Sequence, residues 1–127
     1  MIRNIIILLF CSTLIYGQQP SESVAWDVVL HDFDTLYSLE SVYVDFDFTS
    51  LKETPLFIDN VRTTCGCAAP DWSYDPIAPG VKDKIKIKFT PKTDGYFEKK
   101  IKVFFKDQKK PDLLIIKGFT VLDHDDE

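Results

Sequence analysis

The sequence predicts an all-β fold, one sandwich around a single core, and three observations carry the prediction. Apolar residues recur with a period of two in short runs, no stretch after residue 17 keeps a helical period, and clusters of glycine, proline and aspartate separate the runs. The composition agrees. Hydrophobic residues make up 45% of the chain and aromatic residues 13%, with ten Phe, five Tyr and one Met, a set that suits a pleated surface. A chain of 127 residues fills one core and leaves no room for a second domain of ordinary size.

The first residues stand apart from that fold. Met1-Ile2-Arg3-Asn4 gives a short positive start, Ile5 to Ile15 is mostly apolar, and Gly17 offers a small residue for cleavage, so residues 1–17 read as a secretory signal peptide. The apolar run is shorter than the roughly 18 to 20 residues of a permanent membrane helix, so no transmembrane segment is expected after cleavage. Phe10 is too bulky for the small residue that lipid attachment at Cys11 favours. The expected location is therefore exported: periplasm, cell surface or extracellular. Cleavage removes Cys11 and leaves Cys65 and Cys67 as an even pair in an oxidising compartment.

Gln18 to Ser23 is polar, contains Pro20 and reads as a flexible mature terminus. The domain is expected over residues 24–122. Val24 to Leu30 reads as a first strand, and His31 to Leu36 as a turn leading into a short edge segment. Val42 to Thr49 is the clearest strand: Val42, Val44, Phe46 and Phe48 share one face, and Tyr43, Asp45, Asp47 and Thr49 the other. Ser50 to Pro55 connects it to a shorter strand in which Leu56, Ile58 and Asn60 alternate with Phe57 and Asp59. The cysteines and a proline-rich loop as far as Gly80 follow. Asp83 to Thr90 alternates again, with Ile85, Ile87 and Phe89 inward and Lys84, Lys86 and Lys88 outward. Pro91 to Gly95 is a turn, Tyr96 to Lys106 a long strand with Phe97, Ile101, Val103 and Phe105 inward, and Asp107 to Pro111 a second turn. The last strand, Asp112 to Leu122, is expected to close the core with Leu113, Ile115, Phe119 and Val121. Leu114 and Ile116 on its other face imply cover on both sides or a partner. About seven short strands so spaced make the sandwich immunoglobulin-like. Residues 123–127 form an acidic, solubilising tail.

The formal net charge of -5 argues against nucleic-acid binding through the phosphate backbone. Charge is unevenly placed, with twelve basic residues against five acids from Lys82 to Lys117 and two against eleven in residues 18–81. If the strand bearing Asp45 and Asp47 pairs with the one bearing Lys86 and Lys88, opposite charges meet across the ladder, at roughly 0.2–1 kcal/mol per pair. Lysines also protect sheet edges from adding another strand. The competing reading is a recognition patch. Trp26 and Trp72 read as core or rim packing rather than as a platform for a sugar or peptide, and the tail has no scaffold to fix a divalent cation.

Only His31 and His124 are present, so a Ser-His-Asp or Cys-His arrangement has almost nothing to draw on, and no catalytic residue or cofactor is expected. Cys65-Gly66-Cys67 is the one element with plausible chemistry, and three readings compete. It can be a disulfide across a very small ring, with Gly66 letting the backbone bend. It can offer Cys65 and Cys67 as thiolates to a soft metal ion such as Cu(I), although zinc would need further ligands that the local sequence lacks. Or it can be structural, two small apolar residues at a glycine bulge.

His31-Asp32-Phe33, Phe46-Asp47-Phe48-Thr49, the run from Leu56 through Thr64-Cys65-Gly66-Cys67, Pro76-Ile77-Ala78-Pro79-Gly80 and Ile116-Lys117-Gly118 together resemble a family. It is that of secreted bacterial proteins catalogued as domain of unknown function 1573, and the resemblance covers about residues 30 to 121. It implies an immunoglobulin-like sandwich similar to domains of the major sperm protein and cilium-associated type, with no established activity. Asp34 stands where the family usually has glycine, and Ser50 and Lys52 where it favours asparagine and glycine, changes that bear on turn geometry. The expected function is a secreted, non-catalytic binding or structural module for an unnamed protein or envelope partner. The alternative is a thiol-disulfide redox or Cu(I)-handling protein using Cys65 and Cys67.

Overall fold

The computed structural model describes residues 21–122 and, within them, eight strands. The signal peptide expected over residues 1–17 and the tail over residues 123–127 lie outside the described residues. In chain order the strands are β1 (Val24–Trp26), β2 (Leu30–Leu36), β3 (Val42–Ser50), β4 (Ile58–Thr63), β5 (Ala68–Asp71), β6 (Lys82–Phe89), β7 (Gly95–Phe105) and β8 (Asp112–Thr120). They form two four-stranded sheets, ordered β1-β3-β6-β5 and β2-β8-β7-β4. Every pairing is antiparallel except β2 with β8. The all-β sandwich expected from the period of two is the observed architecture. Among the described residues no helix is long and apolar enough to cross a membrane.

The inward faces of β3, β6 and β7 are those the alternation predicts. Phe46, Phe48, Ile85, Ile87 and Phe89 from one sheet meet Phe97, Ile101, Val103 and Phe105 from the other, all buried. Burying each such side chain stabilises the fold by about 1.5–3 kcal/mol. On the outer face of the first sheet, β3 and β6 pair so that Asp45 stands opposite Lys86 and Asp47 opposite Lys84. Asp71 on β5 also stands opposite Lys86, so that lysine lies between two aspartates. The Lys84 ammonium reaches diagonally to Asp45 at 3.4 Å. Lys88 instead faces Tyr43.

Other elements depart from the expectation, each for a reason that lies in pairing. The apolar run Val24 to Leu30 is two strands in different sheets: β1 pairs with β3, and after Asp27 to Val29 the chain joins β8 as β2. His31 to Leu36, expected as a turn before an edge segment, is strand throughout. Ser23, assigned to the flexible terminus, is fully buried, and its hydroxyl donates to Gln108 Oε1 at 2.6 Å. In β4 a register shift between Ile58 and Asn60 turns Val61, not Asn60, into the core. The Val61 N–H there donates to Asn60 Oδ1 at 2.9 Å. β5 falls where a loop was expected, because Pro70 masks a strand that can exist only at a sheet edge.

The largest correction concerns β8. Its buried row is Leu114, Ile116, Gly118 and Thr120, whereas Leu113, Phe119 and Val121, expected to close the core, are 39%, 47% and 38% exposed. Both faces are apolar, so alternation alone does not say which is inward. Packing decides, through Gly118. A Cβ there would lie 2.7 Å from Phe97 Cζ and 3.0 Å from the Asp34 carbonyl, so only glycine lets the Phe97 ring and β2 approach β8 this closely. At that contact β2 bulges between Asp32 and Thr35, and Asp34 takes the left-handed φ of 58° that glycine favours. Its N–H donates to Asp32 Oδ1 at 2.8 Å, a local hydrogen bond that helps aspartate tolerate the conformation.

Gly118→Ala is expected to destabilise the domain by about 1–3 kcal/mol through overpacking, read as a lower midpoint in urea unfolding. Asp34→Gly is expected to act oppositely and gain up to about 1 kcal/mol, because the left-handed penalty on a Cβ, about 1–2 kcal/mol, exceeds glycine's entropic cost of roughly 0.5–1 kcal/mol. The same unfolding curves compare the two.

Candidate functional site

β4 leaves the chain at Thr63 in one sheet and β5 takes it up at Ala68 in the other. The Thr64-Cys65-Gly66-Cys67 segment is therefore the crossover between sheets, at one end of the sandwich. Cys65 and Cys67 are joined by a disulfide, with Cα atoms 5.4 Å apart, inside the usual range of about 4.4–6.8 Å. Both residues are half-buried, and Cys67 packs against the core. Gly66 has no left-handed φ, and a Cβ added to it would meet nothing within 4 Å. The turn is thus not one that glycine alone permits, and a side chain at Gly66 would point into open space.

Hydrogen bonds other than the S–S link hold the crossover. The Thr63 hydroxyl lies 2.9 Å from both the Cys65 and the Ala68 carbonyl oxygens and shares its one proton between them. The Cys67 carbonyl accepts from the Thr90 N–H at 2.9 Å, which ties the loop to the end of β6. The Cys67 N–H donates to Cys65 Sγ at 3.3 Å.

Beside the disulfide lies a cavity of about 310 Å³, formed where β6 ends and β7 begins and lined by both cysteines, Phe89, Phe97, Lys92 and Lys99 among others. Phe89 and Phe97 stack with centroids 4.3 Å apart. Phe33 from β2 closes on both rings at 6.4 and 6.5 Å. Lys99 is the residue that sequence reasoning passed over. It falls on the inward row Phe97, Lys99, Ile101, Val103, Phe105 and is half-buried where the others are buried. That break in the row was readable as a signal. Tyr96 lines the cavity rim, and its phenol is held above the ordinary tyrosine range because it donates to Glu98 Oε2 at 2.9 Å; the Glu98 and Asp32 charges add to the effect.

The other singled-out residues lie elsewhere. His31 sits on β2 with its ring edge-on to Phe33 at 4.5 Å and does not line the cavity; His124 lies outside the described residues. Trp26 is at the opposite end, packed edge-on to Phe48 at 5.1 Å. Its indole N–H donates to Asp112 Oδ2 at 2.8 Å, and Gln108 Nε2 donates to Asp112 Oδ1 at 2.8 Å. With the Ser23–Gln108 bond, this set bolts β1 to the β7–β8 hairpin and borders a groove of about 440 Å³. Trp72 packs on Tyr74 at 5.2 Å. Among the described residues no three His, Cys, Asp or Glu side chains gather into a group that could hold a metal ion.

Comparison with known proteins gives a family and a fold. The family model described as "Protein of unknown function (DUF1573)" matches residues 24–120. No curated protein matches the chain. Among solved structures, a protein of unknown function from Porphyromonas gingivalis W83 is similar, with a TM-score of 0.67 at 16% identity over 76% of this chain and 46% of that one. The PapD-like domain 7 of human CEP192 is similar at a TM-score of 0.64 and 11% identity, over 85% of this chain and 92% of that domain. The secreted serine protease VesC from Vibrio cholerae is similar at 0.61 and 11% identity, over 77% of this chain and 23% of its own. The chain thus spans less than half the length of the Porphyromonas and Vibrio proteins, and at these identities the likeness is one of fold.

Thr63→Val is expected to destabilise the domain by about 1–2 kcal/mol, since two carbonyls at the crossover lose their shared donor. Gly66→Ala, with open space at its Cβ, is expected to stay within about 0.5 kcal/mol of the parent. Paired thermal melts measure both.

Proposed function

The chain belongs to the DUF1573 family of proteins of unknown function, and we propose that it is an exported, non-catalytic immunoglobulin-like module that binds a protein partner through the outer face of β8. The observation that carries this reading is the exposure of Leu113 and Phe119 on the outer face of β8, and of Val121 just past its end, while the other face of the strand completes the core. Apolar side chains left in water on both sides of Lys117 gain from whatever covers them. Leu30 on β2, 45% exposed, stands in register with Ile115 and widens the row.

The flanks give the partner's charge. Lys100 stands opposite Ile115, and Lys102 lies between Leu113 and Arg62, so the register sets no acid against either lysine. Only the middle of the face is balanced, where Lys117 lies between Asp32 and Glu98. A partner with an apolar centre and acidic rim fits that pattern. The signal-peptide pattern of residues 1–17 supports export, and the scarcity of histidine and the dispersed acids support a non-enzymatic role.

The test uses cells that express the full-length chain. The exported protein is expected to have an intact mass that starts within a few residues of Gln18. Leu113→Glu and Phe119→Glu are each expected to lower recovery of its crosslinked partner about tenfold, equivalent to about 1.4 kcal/mol, without lowering the melting temperature. An uncleaved chain kept in the cytoplasm would sink the export reading, and undiminished partner recovery would sink the binding face.

A further inference from the structure

The disulfide at the crossover stabilises the fold less than a link across a long loop would, which leaves room for another role. A link between Cys65 and Cys67 encloses only Gly66, and so short a loop removes little freedom from the unfolded chain. The crossover is also held without it, by the Thr63 hydroxyl and the Thr90 N–H. The crossover thus has hydrogen bonds that do not depend on the state of the sulfurs.

We propose that Cys65–Cys67 is a thiol-exchange site, which accepts two electrons from a dithiol of a partner chain entering the cavity beside it. The juxtaposition that carries this is a half-buried disulfide on the wall of a cavity that also holds two lysines, Lys92 and Lys99, with no acid among the lining residues. Thiolates are the reacting species, and nearby ammonium groups favour them over thiols. Lys99 interrupts an otherwise buried apolar row at this point and is half-buried on the cavity lining, where a lysine stem packs while its ammonium stays in water. Its use here is to hold negative charge on sulfur.

The geometry also assigns the two sulfurs. The Cys67 N–H already donates to Cys65 Sγ, so Cys65 is the better leaving thiolate. The incoming thiolate attacks Cys67 Sγ, the Sγ–Sγ bond breaks, and Cys65 departs with the electron pair and then takes up a proton. The partner's second thiol, deprotonated, attacks the partner sulfur of the mixed disulfide and releases Cys67, which is protonated in turn. The partner has lost two electrons and two protons to become a disulfide, and Cys65 and Cys67 are both thiols. One exchange per chain is stoichiometric, so the step goes beyond the module reading without requiring turnover.

The experiment takes the purified full-length protein with Cys11→Ser, so that Cys65 and Cys67 hold its only thiols, and dithiothreitol as the dithiol probe, with alkylation and mass measurement at timed points. Reduction is expected to run at least about tenfold faster than that of oxidised glutathione under the same conditions. The Lys92→Gln, Lys99→Gln double variant is expected to slow it about tenfold at an unchanged melting temperature. Cys65→Ser, offered oxidised glutathione, should retain one glutathione on Cys67. Phe119→Glu, on another face, should exchange at the parental rate, which separates failure here from failure of the partner-binding face. Two free thiols in the protein as purified, a rate no faster than oxidised glutathione, indifference to the lysines, or unfolding on reduction would each overturn the proposal.

Discussion

Where β8 passes Phe97, the two sheets' geometry is set by a missing side chain. Gly118 leaves a space that the tip of the Phe97 ring fills, and the Asp34 carbonyl of β2 lies against the same spot. Phe97 is thereby placed to stack on Phe89 from the opposite sheet, and Phe33 closes over both. The stacked rings form the wall of the cavity beside Cys65 and Cys67. The bulge in β2, the inward face of β8 and one wall of the cysteine cavity meet at one close approach between backbone and ring.

The two ends of the sandwich are closed by different chemistry. At the cysteine end, a threonine hydroxyl and a backbone amide fix the chain as it crosses between sheets. At the other end, Ser23, Gln108, Asp112 and Trp26 form a side-chain network in which every named donor finds an acceptor. Satisfied networks of this kind are costly to break, because a half-buried polar group without a partner loses water and gains nothing. The end with the network is closed by side chains, and the cysteine end holds the disulfide beside Lys92 and Lys99.

The uneven charge along the chain resolves into ladders on the first sheet and part of the second. Asp45, Lys86 and Asp71 line up across three strands, as do Asp32, Lys117 and Glu98. Acidic early strands interleave with basic later ones, so a split that looks like polarity in the sequence becomes alternation in space. Lys100, Lys102 and Arg62 escape that cancellation, and they border the apolar row of β8.

Much of the fold was legible in the sequence because a period of two is a local property. The side chains of β3, β6 and β7 alternate without reference to any partner, and their inward rows are those the sequence names. The candidate site was legible in part: Cys65 and Cys67 stood out by residue type, whereas Lys99 was passed over although its place in an apolar row marks it. Pairing was not legible. Val24 to Leu30 is one apolar run, yet the chain divides it between two sheets; β8 is apolar on both faces, yet Gly118 against Phe97 selects one. The sequence by itself determined that this protein is an all-β sandwich with a cysteine pair between strands. The tertiary structure alone decided which face of β8 meets solvent and that Lys92 and Lys99 share a cavity with the disulfide, because those facts depend on contacts between residues far apart in the chain.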